Sequence, residues 1–588
     1  MRSGSKRLAG LVAITAATLL VAGACGTSSS SGPGQSSQGW STCDKDPNNC
    51  NSGPTKPGGT MLVTDEKKIT SFFTADAASN TYDQAQIMSG LIPSPFILNP
   101  DLSVTLNKDL VTSAELTSSS PETVVYKINP NAVWMDGTPI TADDFIFNWK
   151  FQDGKDCSAT DCPVAGTTGY DAIDTVTGSD NGKTVTVVFK TPFPDWQALF
   201  ALFPANVAKT YAGGDIYAPG GLKKAYAGFL SEGGAVPFPK WSGGPYQISD
   251  YQKDVSVTLT PNPKWYGATK PSLDKIIYKI ILDPAQETEA LKNGEVNVSV
   301  AQPDGDLIAA VQQMQNVNYN LSKGPVWEHI DLNNKNKFLA DKNLRQAIFL
   351  AINRQEIIDK TVKPFFPSAA PLNNHNYMPG TAGYKDVITP TGQGVGDDAA
   401  IAKAKQLLES NGYTGAEPGG TLKNKNGEAV TLGFSYTQSN KLRETTAELV
   451  QADLAKIGVK VTLVPKPDLS FLGSGDYDMV VFAWVGSPFV AGSKDLWVTG
   501  GGSNFNKYSN PQGDTLLTKA AQDLDPTQEA ADFNAADEIM AADANVLPLY
   551  QKPVFIAVSS QFVNIRNNAT SAGPAYNMQD WGLKADAQ

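Results

Sequence analysis

Strand-like and helix-like segments alternate along most of the chain, between residues 58 and 558. Strands are predicted where apolar and polar residues alternate or β-branched residues cluster, as in 183–189 and 459–464. Helices are predicted where apolar residues recur every three or four positions, as in 341–360 and 442–457. This mixed order of strands and helices, without a visible repeat, predicts an α/β architecture.

Residues at the ends of several segments support these helices. Thr141 precedes the helix predicted at 142–149, and Asp143 and Asp144 lie in its first turn, where the helix dipole favours acidic side chains. A second helix, predicted at 398–409, is followed by an Asn-Gly pair of the kind that ends helices.

The first 25 residues have the pattern of an export signal. Three positive charges among the first seven residues precede an apolar run at 8–22. The run is too short to span a bilayer, so it predicts a signal peptide over 1–24. Cys25 follows small residues, which resembles a bacterial lipoprotein box and implies that Cys25 is lipidated; plain secretion without a lipid is the alternative.

The segment after Cys25 has no apolar residue. Residues 26–39 consist of Ser, Gly, Gln, Thr and Pro, a composition that cannot bury enough apolar surface to fold. Residues 25–57 are therefore predicted to form a lipidated cysteine and a flexible tether. We expect a globular body anchored by lipid to the extracytoplasmic face of the cell membrane.

The other four cysteines form two close pairs in sequence, Cys43 with Cys50 and Cys157 with Cys162. An exterior compartment permits disulfides, so the spacing predicts two local disulfide loops. Zinc is the alternative, but neither pair has Cys-x-x-Cys spacing and the two histidines of the chain lie far from both pairs. No metal site and no cofactor are expected.

The charge and motif content narrow the function classes. The 588-residue chain has a formal net charge of −12, which argues against nucleic acid or anionic lipid as a binding partner. It has no Gly-x-Ser-x-Gly elbow and no His-Glu-x-x-His helix, so catalysis is not expected. An exterior hydrolase stays open as an alternative because two histidines could support a Ser-His pair. Two histidines are too few soft ligands to favour nickel.

Eight blocks of sequence resemble one known family when they are taken in order. The first block contains a tryptophan followed by Asp-Gly-Thr-Pro and a helix start. The blocks are 133–145, 242–248, 262–267, 290–296, 344–347, 351–358, 402–408 and 547–550. Together they resemble the family 5 extracellular solute-binding proteins of ABC importers, which include oligopeptide-, dipeptide- and nickel-binding proteins. The resemblance covers about residues 58–570.

This resemblance implies a two-lobed periplasmic-binding-protein fold of type II, which closes about a hinge, with an extra domain inserted in the first lobe. The implied parts are lobe one at 58–95, 241–325 and 546–588, the inserted domain at 96–240, and lobe two at 326–545. Two chain crossings, near 327–333 and 547–552, would form the hinge. The ligand would lie between the lobes and become buried on closure.

The resemblance also points to a binding segment after the strand predicted at 479–484. In peptide-binding relatives a tryptophan there is followed three residues later by an aspartate that pairs with the α-ammonium of the peptide. This chain has Trp484, Val485, Gly486 and Ser487, so the aspartate position holds a serine. A buried ammonium needs an opposite charge and hydrogen bonds. Either another acid supplies the charge, or the ligand has no free ammonium there.

Further binding residues follow from their positions near the implied hinge and cleft. They are Trp327, His329, Asn333, Asn374, His375, Asn504 and Phe505. Asparagine side chains beside aromatic rings suit peptide backbone and sugar hydroxyls equally well. The alternatives are core packing for Trp484 and a hydrogen-bonded structural role for His329.

We therefore expect a monomeric substrate-binding lipoprotein that captures a small solute, with an oligopeptide as the first choice, and delivers it to an ABC permease and its ATPase subunits. An oligosaccharide, haem or a peptide-like natural product stay open as ligands because of Ser487. A receptor for a signalling peptide would need the same cleft.

Overall fold

A computed structural model describes residues 40–586, except 44, 159, 439, 468 and 470. The predicted signal peptide, Cys25 and residues 26–39 lie outside the described residues. Within the described ranges, no helix combines the length and the apolar character needed to cross a membrane.

The described residues contain nineteen strands. In chain order they are β1 (Thr55–Lys56), β2 (Thr60–Asp65), β3 (Phe96–Leu98), β4 (Val104–Leu106), β5 (Val111–Ser119), β6 (Glu122–Ile128), β7 (Ile173–Ser179), β8 (Thr184–Phe189), β9 (Tyr246–Gln252), β10 (Ser256–Pro261), β11 (Lys275–Ile280), β12 (Val298–Ser299), β13 (Val317–Leu332), β14 (Thr431–Thr437), β15 (Lys460–Lys466), β16 (Met479–Val485), β17 (Val546–Ser559), β18 (Phe562–Val563) and β19 (Gly582–Lys584).

The same residues contain fourteen α-helices. They are α1 (Tyr82–Ser89), α2 (Ala142–Gln152), α3 (Ala205–Ala212), α4 (Gly221–Leu230), α5 (Pro284–Lys292), α6 (Gly305–Val311), α7 (Lys342–Ala351), α8 (Arg354–Lys360), α9 (Asp398–Ser410), α10 (Lys441–Ala455), α11 (Phe471–Ser474), α12 (Lys494–Trp497), α13 (Pro511–Ala520) and α14 (Pro526–Ala542).

One ten-stranded sheet organises the molecule, in the order β15-β14-β16-β13-β17-β12-β2-β11-β10-β9. On one side of its centre, β2 runs parallel to β11 and β12. On the other side, β14 runs parallel to β15 and β16. The two longest strands of the sheet, β13 and β17, are antiparallel to each other and lie between these parallel groups.

The pairing of β13 changes along its length. Its first half pairs with the end of β17, from Val317 opposite Ser559 to Lys323 opposite Pro553, beside β12. After a register shift, its second half pairs with the start of β17 and with β16, where Val326 stands opposite Val485. Since β2 runs in the direction of β13 and β16 runs against it, the carboxyl ends of β2 and β16 point towards each other across the middle of β13.

A separate four-stranded antiparallel sheet, in the order β5-β6-β8-β7, packs with α2 inside the region predicted as an insertion. The predicted start of α2 is confirmed. The Thr141 side chain accepts a backbone N–H of the first turn, and the Asp144 side chain accepts the backbone N–H of Thr141 at 2.9 Å. This reciprocal capping satisfies two donors that the helix itself leaves free.

The single helix predicted over 341–360 is wrong, because the chain forms α7 and α8 there. Ile352 is extended (φ −73°, ψ 131°), and Asn353 caps α8 by accepting the backbone N–H of Glu356 at 2.9 Å. The backbone N–H of Asn353 donates to Asp453 at 2.9 Å. Asparagine competes with helical hydrogen bonds through its side chain, which apolar periodicity does not reveal.

Alternation along β13 sends successive side chains to opposite faces of the sheet. Trp327 packs into a core that also contains Val63 and Trp497. Ile330 packs into a second core, on the other face, with Leu344. The two faces of the central strands therefore meet different parts of the protein.

Both predicted disulfides are present, Cys43 with Cys50 and Cys157 with Cys162. The first loop is held against the end of the chain. Arg566 Nε donates to the carbonyl oxygen of Cys50 at 2.7 Å, and Asn51 Nδ2 donates to that of Ile565 at 2.8 Å.

Candidate ligand-binding site

The two facing strand ends mark the candidate site. β2 ends at Asp65 and is followed by Glu66, whereas β16 ends at Val485 and is followed by Gly486 and Ser487. In α/β sheets, ligands bind outside the carboxyl ends of the strands. The space between these ends, over the middle of β13, is therefore the place where both halves of the sheet can reach one ligand.

Two glycines allow the backbones at this place to approach closely. Gly486 donates its N–H to the carbonyl oxygen of Pro325 at 2.8 Å, and a Cβ on Gly486 would lie 2.8 Å from the same oxygen. A Cβ on Gly324 would lie 2.5 Å from the Cβ of Ala569. A larger residue at either position would push these segments apart.

Three of the aromatic residues predicted for the site meet at the end of β16. The Trp484 ring is nearly parallel to that of Phe505, at 19° and 5.5 Å between centroids, and to that of His329, at 7° and 6.0 Å. The indole Nε1–H of Trp484 is buried and has no hydrogen-bond partner among the described residues. With Phe505 against its ring, Trp484 has an N–H donor to offer a ligand.

The residues after Trp484 reach the surface. Val485 is 63% exposed, and Ser487 is exposed, with its Oγ accepting the backbone N–H of Phe489 at 3.1 Å. Ser487 brings a hydroxyl group and no charge to this end of the site.

His329, whose ring is one of these three, forms an uncharged pair with Asp331. Burial lowers the pKa of His329 to about 3 and raises the pKa of Asp331 to about 8. His329 Nε2 lies 3.4 Å from Asp331 Oδ1. Neither ring nitrogen of His329 has a partner with hydrogen-bond geometry among the described residues. Trp327 is 1% exposed, and its ring lies 4.7 Å from that of His329.

Four other predicted site residues use their polar atoms within the protein. The contacts are Asn333 Nδ2 with the carbonyl oxygens of Gly475 and Tyr477, Asn374 Nδ2 with Lys385 O and Asn534 Oδ1, His375 with Asp537 and with Val546 O, and Asn504 Nδ2 with Val498 O and Tyr508 O. Burial alone would lower the pKa of His375, but the Asp537 carboxylate raises it above its usual value. A role in ligand binding for these four residues stays a prediction.

Sequence patterns gave no indication of an acidic cluster that forms at the end of β2. We define this acidic cluster as Asp65, Glu66, Asp83 and Glu287, contributed by β2, the residue after it, α1 and α5. Asp83 Oδ1 accepts the backbone N–H of Glu66 at 3.3 Å, and its Oδ2 lies 3.3 Å from Lys67 Nζ. Only the folded chain brings these four residues together, so no local motif could have found them.

Two carboxylate oxygens of the acidic cluster are buried without a partner. Asp65 Oδ1 accepts the backbone N–H of Lys67 at 3.1 Å, but its Oδ2 has no hydrogen-bond partner among the described residues. Glu287 Oε1 accepts the hydroxyls of Thr64 and Ser299, at 2.5 and 2.6 Å, and its Oε2 has none. Burial, with repulsion from Asp83, raises the pKa of Asp65 to about 8. Burial, with repulsion from Glu287 and Asp83, raises the pKa of Glu66 to about 7.

A buried ionic network ties the two central strands to α10. Glu328 of β13 pairs with Arg443, with 2.9 Å between Oε1 and Nη2, and lies 3.5 Å from Lys552 of β17. Lys552 Nζ also donates to Gln302 Oε1 at 2.9 Å. Burial opposes ionisation of Glu328, but Arg443 and Lys552 hold its pKa below the usual value. A charged residue within the apolar strand was the available sequence signal.

Two hydrogen bonds join the predicted insertion to the segment after β16, which includes α12. Asp195 Oδ2 accepts the backbone N–H of Ala491 at 2.6 Å, and Thr168 Oγ1 donates to Asp495 Oδ2 at 3.0 Å. Burial raises the pKa of Asp195 to about 7. These contacts link the predicted insertion to the chain that follows the Trp484 end of the candidate site.

A cavity of about 430 Å³ lies elsewhere, lined by residues that include Met88, Phe96, Trp265 and Tyr576. Neither Asp65 nor Trp484 lines it, so it is separate from the site at the strand ends. Within the described part of the chain, no three His, Cys, Asp or Glu side chains are arranged to hold a metal ion.

Comparison with known proteins agrees with this arrangement. Residues 105–507 match the family model described as bacterial extracellular solute-binding proteins, family 5 Middle. The oligopeptide-binding protein OppA of Mycobacterium tuberculosis is 31% identical over 501 residues, which are 82% of this chain and 78% of OppA.

Solved structures show the same fold. The periplasmic EDTA-binding protein EppA is 33% identical, with a TM-score of 0.85 over 92% of this chain and 99% of EppA. The oligopeptide-binding protein AppA from Bacillus subtilis, in complex with a nonapeptide, has a TM-score of 0.72 at 22% identity, over 90% of this chain and 100% of AppA. The predicted two-lobed α/β fold of type II is confirmed; the lobe boundaries and the inserted domain stay predictions.

Proposed function

The chain belongs to the bacterial extracellular solute-binding proteins of family 5, and from this membership we propose that it captures an oligopeptide between its lobes for an ABC importer. The lobes would close over the peptide, and the closed protein would deliver it to a membrane permease served by ATPase subunits. Its work is binding and closure, without catalysis.

The observation that carries this proposal is the pair of strand ends facing each other across β13. Trp484 brings a free N–H to one end, and Asp65 and Glu66 bring acceptors to the other. An extended peptide carries hydrogen-bond donors and acceptors along its whole length, so it can form hydrogen bonds at both strand ends at once. The similarity to OppA, which is named for oligopeptide binding, supports the same ligand class.

A second candidate ligand is a small chelate of the EDTA type. The 33% identity to the EDTA-binding protein EppA over 92% of this chain favours it. Arg443 and Lys552 would be the cationic partners nearest the hinge for such an anion. The acidic cluster beside β2 opposes it, because like charges repel a polycarboxylate.

We also propose that the protein is held at the membrane through a lipid on Cys25 and that it acts as a monomer. Metabolic labelling with a radioactive or clickable fatty acid tests the anchor. Incorporation in the wild type and its loss in Cys25→Ser would support lipidation; equal labelling of both would refute it.

Native mass spectrometry of the purified protein tests the ligand. The protein is measured alone, with an equimolar library of short peptides, and with EDTA and its iron chelate. Retention of a peptide mass series supports the proposal. Retention of EDTA or its chelate, with no peptide retained, would replace it with the second candidate.

Coupling to a permease needs a separate experiment in cells. Uptake of the peptide selected by mass spectrometry should fall when either this protein or its permease is deleted. Uptake that continues without the protein would contradict a transport role.

A further inference from the structure

We propose that the acidic cluster is a subsite for a cationic nitrogen of the ligand, either a peptide α-ammonium or a basic side chain. This inference rests on the proposed function and specifies the part of the ligand that the β2 side of the site recognises. Neither the family membership nor the similarity to OppA assigns these residues.

Within the cluster, Asp65 lies on the face of the sheet that carries Trp484, whereas Glu287 bonds to Thr64 on the opposite face. Asp65 is two residues after Val63, so both side chains point to the face that carries the core containing Val63 and Trp327. Trp484 stands opposite Trp327 in the register of β13 and β16, and therefore lies on that face as well. Asp65 and Trp484 are thus on one face, at two strand ends that point towards each other.

The unpartnered oxygens indicate what the subsite would bind. Asp65 is 3% exposed and lies beside the Asp83 carboxylate, and among the described residues its Oδ2 has no hydrogen-bond donor. A buried carboxylate without hydrogen bonds is costly to the fold. An ammonium group supplies three N–H donors and a positive charge, which satisfies both requirements together.

The protein provides fewer positive than negative charges here. Among the described residues, Lys67 is the one basic side chain within 4 Å of a cluster carboxylate, and 59% of its side chain is exposed. Lys552, which Glu66 attracts, is paired with Glu328. Ser487, at the other strand end, provides none. A cationic ligand group is therefore directed to the β2 side, where carboxylates outnumber cations.

A proton shared between Asp65 and Asp83 would also account for the unpartnered oxygen of Asp65. Such a proton has a measurable consequence for ligand binding. If the free protein holds protons at this cluster, an arriving cation must displace them, and binding releases protons near neutral pH. The groups next to Asp65 are Asp83 of α1, Lys67 of the following loop and Tyr278 of β11. Tyr82, Glu287 and Lys552 act on the neighbouring carboxylates Asp83 and Glu66 and take part in the same balance.

Isothermal titration calorimetry with three matched tetrapeptides tests the subsite. The first, Ala-Phe-Ala-Ala, has a free amino terminus; the second is its N-acetylated form; the third is acetylated and carries lysine in place of the third residue. We expect the free peptide to bind about tenfold or more tightly than the acetylated one, as loss of a charged hydrogen bond predicts. Recovery by the lysine peptide would identify a basic side chain as a second source of the cation.

Calorimetric titrations near neutral pH, in two buffers of different ionisation enthalpy, measure how many protons are released when the peptide binds. We expect net proton release with the free peptide and none with the acetylated peptide. This measurement needs no variant, so it stays decisive if a substitution in the cluster prevents folding.

The variants Asp65→Asn and Glu66→Gln should abolish the preference for the free peptide, so that the free and acetylated peptides bind each variant with equal affinity. Asp250→Asn, in an exposed position on β9, is the matched control and should keep the full preference. Equal binding of free and acetylated peptides by the wild type, or an intact preference in both variants, would overturn the subsite. Binding of none of the peptides would instead overturn the proposed function.

Discussion

Trp484 of β16 stands directly opposite Trp327 of β13, yet the two side chains have different environments. Trp327 is buried in the core, whereas Trp484 is half-buried at the strand end, and its indole N–H has no partner among the residues that the structure describes. A ligand between the lobes can therefore use Trp484 and leave Trp327 untouched.

Removing the Trp484 donor should weaken ligand binding with little effect on the fold. Trp484→Phe keeps an aromatic ring against Phe505 and deletes the N–H, so we expect a loss of about 0.5–1.5 kcal/mol in binding free energy. Trp484→Ala also deletes the ring and should lose about 1–3 kcal/mol. Calorimetric titration and thermal melting measure the two effects separately.

Trp327→Phe is the matched control for that pair. It should lower the melting temperature, because a fully buried ring leaves a cavity when it shrinks, and a cavity destabilises the core. If Trp484→Phe lowers the melting temperature as much as Trp327→Phe and leaves binding unchanged, Trp484 is a core residue.

Placing an acid at position 487, where peptide-binding relatives have an aspartate, should not improve recognition of the α-ammonium of the peptide. The acidic cluster already holds the cation on the β2 side, so Ser487→Asp should leave the affinity ratio of free to acetylated peptide within about twofold, less than 0.5 kcal/mol. Ser487→Asn, which changes size without adding charge, is the comparison. A large gain specific to Ser487→Asp would show that the ammonium lies at the β16 end.

The buried network at Glu328 should be sensitive to loss of this carboxylate. Glu328→Gln leaves the buried Arg443 without its paired carboxylate and weakens the negative charge near Lys552, and removing one partner of a buried pair destabilises by about 3–5 kcal/mol. Urea unfolding measures this loss. Glu444→Gln breaks the more exposed pair with Lys441 and should change stability by less than about 1 kcal/mol.

Ligand affinity should depend on pH through Asp195, which accepts the Ala491 N–H at 2.6 Å. We expect this contact to form on closure of the lobes and to be absent from the open form. Burial in the closed form raises its pKa from 3.8 to about 7, so closing takes up a proton between these values. Closure is favoured most below about pH 4, and this advantage is lost as the pH rises through about 7. Affinity of the selected peptide, measured across this range, should fall as the pH rises.

Asp195→Asn removes the titrating group and should flatten that pH dependence. Glu529 also has a raised pKa, of about 8, because of burial and repulsion from Asp195, and would account for any remaining slope. An unchanged profile in Asp195→Asn would exclude Asp195 as the group that links closure to pH.

Local patterns predicted much of the secondary structure, because helix periodicity and capping are set by neighbours in sequence. The helix predicted at 398–409 is α9, and the start of α2 was readable from Thr141 and Asp144. The same reasoning failed at Asn353, where a side-chain cap and a distant partner, Asp453, divide one apolar pattern into two helices.

The candidate site was predictable only in part. Resemblance to a family predicted Trp484 and Phe505 separately as binding residues, and the structure brings their rings together; their role in binding stays a prediction. The acidic cluster did not follow from any pattern, since its members are separated by up to 222 residues and come from different elements.

By itself, the sequence determined which segments become strands and helices, which cysteines pair over short loops, and to which family the chain belongs. These properties depend on residues that are close in sequence, or on the order of the sequence blocks along the chain. The tertiary structure alone decided that Asp65 is buried beside Asp83 and that Glu328 lies between Arg443 and Lys552. Burial and charge proximity change pKa values and binding strength, and both are set by strand pairing between distant parts of the chain.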